Sequence, residues 1–215
     1  MTTRLDVLKT YKLFIDGKFP RSESGRTMVV HGVGGEVLAH LCKASRKDLR
    51  DAVEAARKAQ AGWAGATAYN RGQVMYRMAE MMEGKRGEFV EALEGTEARR
   101  HAGTEPRKKV RRHGGTKGKT GWAAIEVEAA IDRLVCFAGW ADKYAQVLGC
   151  NNPVAGPYYN FTAPEATGVV AAVAPDEHPL LGLISLIAPA MCSGNAVVGI
   201  ASEANPIPAA ILGEV

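Results

Sequence analysis

The chain has little that would tie it to a membrane, a metal or a disulfide framework. No stretch approaches the ~18 consecutive apolar residues that span a bilayer. The opening residues, Met1-Thr2-Thr3-Arg4-Leu5-Asp6, carry no apolar core of a secretory leader. The four cysteines, Cys42, Cys136, Cys150 and Cys192, are scattered singly with no metal-ligand spacing. Reduced, buried thiols in a cytoplasmic protein are therefore the expectation, with no metal site and no membrane contact. What remains is an ordinary globular composition, 47% hydrophobic and 23% charged over 215 residues. That length forms one domain, or one domain and part of a second.

Aromatic residues are missing from the one stretch where they would suggest nucleic acid. Nine of the 27 Lys and Arg lie between Arg99 and Lys119, against a single acid, Glu105. Gly103, Gly114, Gly115, Gly118 and Gly121 punctuate the same region, which has almost no large apolar residue. Such a segment cannot bury enough surface to offset its ordering entropy, so residues 99–121 read as a basic, flexible loop. A polyanion-binding arm is the alternative. With no aromatic to stack on bases, nucleic acid is the weaker reading.

Elsewhere the pattern is that of packed elements. Asp16-Gly17 between two short apolar pieces marks a hairpin. Gly32-Val33-Gly34-Gly35-Glu36 and Val37–Leu41 read as a turn and a strand, with His40 half exposed on it. Ser45 and Asp48 form a capping-box-like helix start, followed by Leu49, Val53 and Ala56 at helical spacing. A second helix is predicted from about Asn70 to Leu93, with Val74, Met78, Met81, Met82 and Phe89 as core filler along one side. From Ala123, the stripe Val127, Ile131, Leu134, Ala138, Ala141, Ala145 and Leu148 predicts one long helix, with Glu126 on another face and Gly149 as C-cap. Tyr158–Thr162 is a predicted strand.

The densest signal lies between Gly168 and Glu203. Gly168–Pro175 is a short run of small and β-branched residues ended by Pro, the mark of a strand buried in a parallel sheet. Pro179 opens an apolar helix, since its missing N–H costs nothing in a first turn. Gly194-Asn195 supplies a turn, and Ala196–Ile200 is a second buried strand. Strand, helix and strand in so short a span form the βαβ unit of a doubly wound nucleotide-binding sheet.

This stretch resembles the start of the cofactor-binding domain of the aldehyde dehydrogenase superfamily. There a Gly-Val-Val strand runs into Pro-Trp-Asn-Phe-Pro, then a helix, Gly-Asn, and a strand ending in Lys-Pro-Ser-Glu. Here the same frame reads Pro175-Asp176-Glu177-His178-Pro179, Gly194-Asn195 and Ile200-Ala201-Ser202-Glu203. Weaker similarity reaches back to about Tyr11. The resemblance implies an α/β fold: an incomplete doubly wound, Rossmann-like domain preceded by an N-terminal hairpin and helices. On that reading residues 154–163 hold an oligomerisation strand that bridges subunits, and residues 164–203 form the βαβ unit.

The resemblance also implies a reaction, the NAD(P)-dependent oxidation of an aldehyde to an acid. A cysteine thiolate attacks the carbonyl, an Asn side chain and a backbone N–H hold the oxyanion, hydride passes to the cofactor, and a Glu activates water. The family's nucleophile and principal Glu fall downstream of the residues matched here, so no catalytic residue is assigned. Glu177 occupies the place of the oxyanion Asn, where an ionised carboxylate offers no donor. Cys192 sits among small residues before the second strand, with no sequence neighbour to activate it.

By family position, NAD or NADP would meet Ala174, Pro175, Ile200, Ser202 and Glu203. Ile200 replaces the Lys that hydrogen-bonds the ribose. Ser202 and Glu203 read equally well as part of a ribose pocket or as a helix start before Pro206-Ile207-Pro208. The expected role is that of a non-catalytic chain, forming a homo-oligomer or pairing with a full-length aldehyde dehydrogenase. A truncated remnant or fragment of an active enzyme is one alternative; one half of an enzyme completed by another polypeptide is another. An incomplete sheet would leave Val169, Val170, Val173, Val197, Val198 and Ile200 partly uncovered.

Overall fold

The computed structural model describes residues 7–32, 34–96 and 121–215. The chain opens on a three-stranded sheet built from β1 (Thr10–Tyr11), β2 (Thr27–His31) and β3 (Val37–Cys42), ordered β1-β3-β2. β2 runs antiparallel to β3, and β1 parallel to it. Before β2, the Asp16-Gly17 hairpin is present in miniature. Ile15 and Lys18 exchange N–H···O bonds of 3.0 Å across it. Asp16 and Gly17 both take positive φ, 54° and 68°, the conformation of a type I′ turn.

Helix α1 (Arg46–Gly65) starts on the predicted capping box. Ser45 Oγ accepts the Asp48 N–H, and the Asp48 carboxylate accepts the Ser45 N–H at 2.7 Å. Asp48 also takes the Ser22 hydroxyl at 2.6 Å and the Glu23 N–H at 3.2 Å, so the cap pins the loop before β2 to the helix. Burial alone would raise the Asp48 pKa. The bonds from Ser22, Ser45 and Glu23 outweigh it and hold the group at about 2 against an ordinary 3.8. Leu49, expected to face inward, is half exposed, and Asp48 is the one fully buried residue of α1.

The predicted second helix is two helices, α2 (Ala68–Gly84) and α3 (Arg86–Thr96). Gly84 weakens the helix at the break, and the Lys85 N–H reaches back to the carbonyls of both Met81 and Met82. The buried face of α2 is also turned from the expected one. Gly72, Met75, Ala79 and Met82 are inside, whereas Val74 and Met81 face solvent. Gly72 sets this rotation: a Cβ there would press on the Ala138 carbonyl of the next long helix, so only glycine allows the two backbones to close.

That helix, α4 (Trp122–Trp140), buries Val127, Ile131 and Leu134 as the stripe predicts, together with Ala123 and Ala130, which the stripe did not include. It ends at Trp140, and a separate short α5 (Tyr144–Leu148) follows. Ala145 and Leu148, expected on the same stripe, are exposed. Glu126, expected on an outer face, is buried. Gly121, the last residue of the predicted basic loop, is the N-cap of α4; the rest of that loop, Arg99–Thr120, lies outside the described residues.

β4 (Cys150–Asn152) and β5 (Asn160–Thr162) form an antiparallel hairpin inside the predicted 154–163 region and just before it. The strand is shorter than the predicted Tyr158–Thr162: Tyr158 and Tyr159 precede it. The βαβ unit follows as predicted: β6 (Val169–Val173), α6 (Pro179–Cys192) and β7 (Ala196–Ile200), with β6 and β7 parallel and paired from Val169↔Ala196 to Val173↔Ile200. A short α7 (Ile207–Leu212) closes the described chain.

Met75, Met82, Phe89, Leu93, Leu134, Leu180, Ile184 and Ile211 are the large side chains at the centre of the core, which α2, α3, α4, α6 and α7 share. Glu214 accepts from Lys9 at 2.8 Å and Lys85 at 3.1 Å, tying the residues before β1 and those after α7 to the α2–α3 junction. Of the four cysteines, all free, only Cys192 is buried. Cys136 and Cys150 are exposed, because α4 turns one flank to solvent and β4 lies on the surface hairpin, so the expectation of buried thiols fails for both.

Candidate functional site

Parallel sheets present ligands at the carboxyl ends of their strands, and the sequence places its candidate residues there. The β6 end continues into Ala174 and Pro175, whose backbone leads to α6. Ala174 N–H donates to the Ile200 carbonyl at 2.9 Å, which locks the two strand ends together. A Cβ on Gly182 would run into the Pro175 ring, so the glycine lets α6 approach the turn closely.

The first turn of α6 lacks a cap of its own. Its N-cap, His178, makes no side-chain cap bond, and Pro179 has no N–H to satisfy. Glu126 of α4 supplies the acceptor. Its Oε1 takes the N–H of Leu180 at 3.0 Å and of Leu181 at 3.2 Å, and its Oε2 lies 3.3 Å from His178 Nδ1. Glu126 is only 3% exposed. A buried carboxylate is costly unless fully bonded, and the positive end of the helix offsets that cost. Sequence reasoning passed over Glu126, yet a signal existed: a helix opening with His-Pro needs an acceptor from elsewhere in the chain.

Asp176 is a second residue that the sequence did not single out. Its Oδ1 accepts the Ser202 hydroxyl at 2.6 Å, and Ser202 Oγ accepts the Asn205 N–H at 3.2 Å. This bond staples the end of β6 to the end of β7. Ser202 is buried and closes a turn ahead of α7; it is not that helix's N-cap, which is Pro206. The structure thus brings Ala174, Pro175, Ile200 and Ser202 together at one mouth. Ile200 turns an apolar, 40% exposed side chain outward, and Glu203 is exposed beside Ser202. Glu177 is exposed at the entry to α6. Asp176, Glu177 and Glu203 are all exposed around this mouth, next to His178.

The far end of α6 is held with equal care. Arg71, buried, donates to the carbonyls of Cys192 at 3.2 Å and Ala66 at 2.6 Å, a cation on the negative end of the helix. Asn195 Oδ1 accepts the Gly168 N–H at 2.9 Å, and Gly194 takes φ of 90° to make the turn into β7. Burial pushes the Cys192 thiol up, and Arg71 only partly offsets this. A buried thiol with a raised pKa is inert. Among the described residues, no group of three His, Cys, Asp or Glu is placed to hold a metal, and no helix is long and apolar enough to cross a membrane.

A βαβ unit joined to helices and an N-terminal sheet in this order defines a partial, doubly wound α/β domain, and comparison with known proteins identifies it. The sequence pattern of the Aldehyde dehydrogenase family matches residues 19–215. A putative aldehyde dehydrogenase of Bacillus subtilis (strain 168) is 32% identical over 221 residues, covering 100% of this chain and 40% of the relative. Retinal dehydrogenase 2 of Mus musculus is 32% identical over 214 residues, covering 96% of this chain and 36% of the relative.

Among solved structures, an aldehyde dehydrogenase of Bacillus cereus (G224D mutant) superposes with a TM-score of 0.81 at 24% identity, over 96% of this chain and 38% of that one. An NAD-dependent benzaldehyde dehydrogenase of Corynebacterium glutamicum gives 0.77 at 29% identity, over 95% and 41%. The chain belongs to the aldehyde dehydrogenase family. It spans 36–40% of the length of these curated relatives and matches their N-terminal part.

Proposed function

We propose that this chain is an association subunit of an aldehyde dehydrogenase assembly that does not oxidise aldehydes by itself. The observation that carries the proposal is the β4–β5 hairpin. Tyr158 and Tyr159 are each 76% exposed and Phe161 63%, with Val147 and Leu148 of α5 equally bare beside them. A contiguous apolar, aromatic-rich patch of this kind marks a protein interface. Tyr159 and Phe161 of the patch also line a shallow, open hollow of about 340 Å3 between α5 and the hairpin.

The mouth of the β6–β7 pair supports the non-catalytic half of the proposal. Glu177 stands where the family places its oxyanion-binding Asn, and an ionised carboxylate repels the charge that develops there. NAD or NADP fits poorly. Ile200 offers no donor to a ribose, the Ser202 hydroxyl is committed to Asp176, and the exposed carboxylates of Asp176 and Glu203 oppose a phosphate. Glu203 keeps an exposed acceptor for a ribose hydroxyl. Cys192, buried at the other end of α6, is no nucleophile.

Sedimentation of the purified chain with a complete subunit of the Bacillus subtilis relative tests the association. The expected result is a mixed oligomer that Phe161→Ser with Tyr159→Ser abolishes. Independent sedimentation of the two proteins at micromolar concentration contradicts it.

A further inference from the structure

Asp16-Gly17 is the one Asp-Gly or Asn-Gly pair in the sequence, and it sits at the tip of the N-terminal hairpin. Both residues are exposed, and both hold positive φ, 54° and 68°. The turn's hydrogen bonds belong to their neighbours. Ile15 and Lys18 exchange N–H···O bonds of 3.0 Å, and the Leu13 N–H reaches the Pro20 carbonyl at 3.1 Å. The Asp16 carboxyl and the Gly17 N–H have no partner among the described residues. Even a Cβ added to Gly17 would meet nothing within 4 Å, so no neighbour crowds the pair.

A carboxyl carbon and an amide nitrogen thus stand on adjacent residues with nothing competing for either. Glycine after the aspartate brings no side chain to obstruct their approach. Ring closure requires the Asp16 backbone to rotate out of its turn conformation. No residue from Lys12 to Arg21 is buried apart from the partly covered Leu13 and Ile15. Local opening of this tip is therefore cheap next to global unfolding.

We infer that Asp16 is a site of spontaneous isomerisation to isoaspartate. The Gly17 nitrogen attacks the Asp16 side-chain carboxyl carbon. The N–Cγ bond forms, the Cγ–OH bond breaks, and the hydroxyl leaves with the N–H proton as water. Water then adds to either carbonyl of the resulting succinimide. Addition at the Asp16 main-chain carbonyl breaks its bond to the Gly17 nitrogen, so the chain runs through Cβ and Cγ and the α-carboxylate is freed. The water lost in the first step is regained in the second, and no oxidant or second substrate enters.

The product lengthens the turn by one backbone carbon. A type I′ turn closes on two ordinarily linked residues, so the Ile15–Lys18 bonds are lost with it. Phe14 and Phe19, whose rings lie 5.4 Å apart across the hairpin, separate. Phe14 also lies against Gly213, the C-cap of α7, so the change is felt where the hairpin rests on the body.

The test holds the full chain at neutral pH and body temperature for several weeks. Isoaspartate is read by electron-transfer fragmentation, which cuts at the extra backbone carbon. The expected result is isoaspartate at Asp16 forming at least about tenfold faster than at any other aspartate of the chain. Asp16→Glu, whose ring would be one atom larger, forms none. Asp16→Asn keeps the turn and closes the same ring with loss of ammonia, at least about tenfold faster than wild type. Amide protection at Ile15 and Lys18 falls in step with the isoaspartate fraction. Isoaspartate no faster at Asp16 than elsewhere, or an Asp16→Asn chain that keeps its ammonia, overturns the inference. So does an isomerised fraction whose hairpin protection is intact.

Discussion

Glu126 accepts the Leu180 N–H at 3.0 Å from a different helix, so α4 caps α6. The bond joins the two longest apolar helices at the point where the chain turns from β6 into α6. Replacing Glu126 with Leu leaves two buried N–H groups without a partner and is expected to cost about 2 kcal/mol. Glu126→Gln keeps one acceptor and costs less. Urea denaturation midpoints give the order wild type, Gln, Leu. Equal midpoints for Gln and Leu would show that the carboxamide does not reach the helix.

Asp48 gives a pH dependence. Its folded-state pKa, about 2, lies below the ordinary 3.8. Its contribution is therefore fully present above pH ~4 and is lost as pH falls through about 2. Asp48→Asn keeps one acceptor but loses the charge and the second oxygen that hold Ser22, Ser45 and Glu23, about 1 kcal/mol at neutral pH, and flattens stability between pH ~4 and ~2. Acid titration of the melting temperature for both proteins checks this. Parallel curves over that window would place the acid lability on another group.

Gly182 is tightly specified. Alanine there drives a methyl into the Pro175 ring, which has nowhere to rotate. An expected loss of 1–3 kcal/mol, typical of overpacking at about one methyl group, is read from thermal melts. Gly84→Ala at the α2–α3 junction, with open space around it, serves as the control. A Gly182→Ala protein as stable as wild type would mean that α6 can shift away from the turn at no cost.

The thiols divide by burial. Cys136 and Cys150 are expected to react with an aromatic disulfide reagent at once, Cys42 more slowly, and Cys192 only after unfolding, since burial also holds its thiol protonated. Stopped-flow labelling of single-cysteine variants resolves the four rates. Fast labelling of Cys192 in the folded chain would reopen it as a nucleophile.

The βαβ unit was legible because β-branched runs, Pro179 and Gly194-Asn195 each speak locally. The capping box and the Asp16-Gly17 turn were legible for the same reason. What escaped depends on neighbours distant in sequence. Val74 and Met75 are adjacent apolar residues, so periodicity alone fits either as the inner face of α2. The choice is made by Gly72 against the Ala138 carbonyl of α4. The stripe through Ala145 and Leu148 continues in sequence beyond the point where α4 has anything to pack on. At the mouth, Asp176 and Glu126 gain their roles only through partners 26 and 54 residues away.

The central claim is that this chain contributes surface to an aldehyde dehydrogenase assembly and no turnover of its own. The most direct measurement is aldehyde-dependent formation of reduced cofactor by the purified chain, with NAD and NADP and a panel of aliphatic and aromatic aldehydes. The account predicts no rate above the aldehyde-free blank. A rate that survives repeated purification, scales with chain concentration and falls in a variant of one of its four cysteines would contradict it.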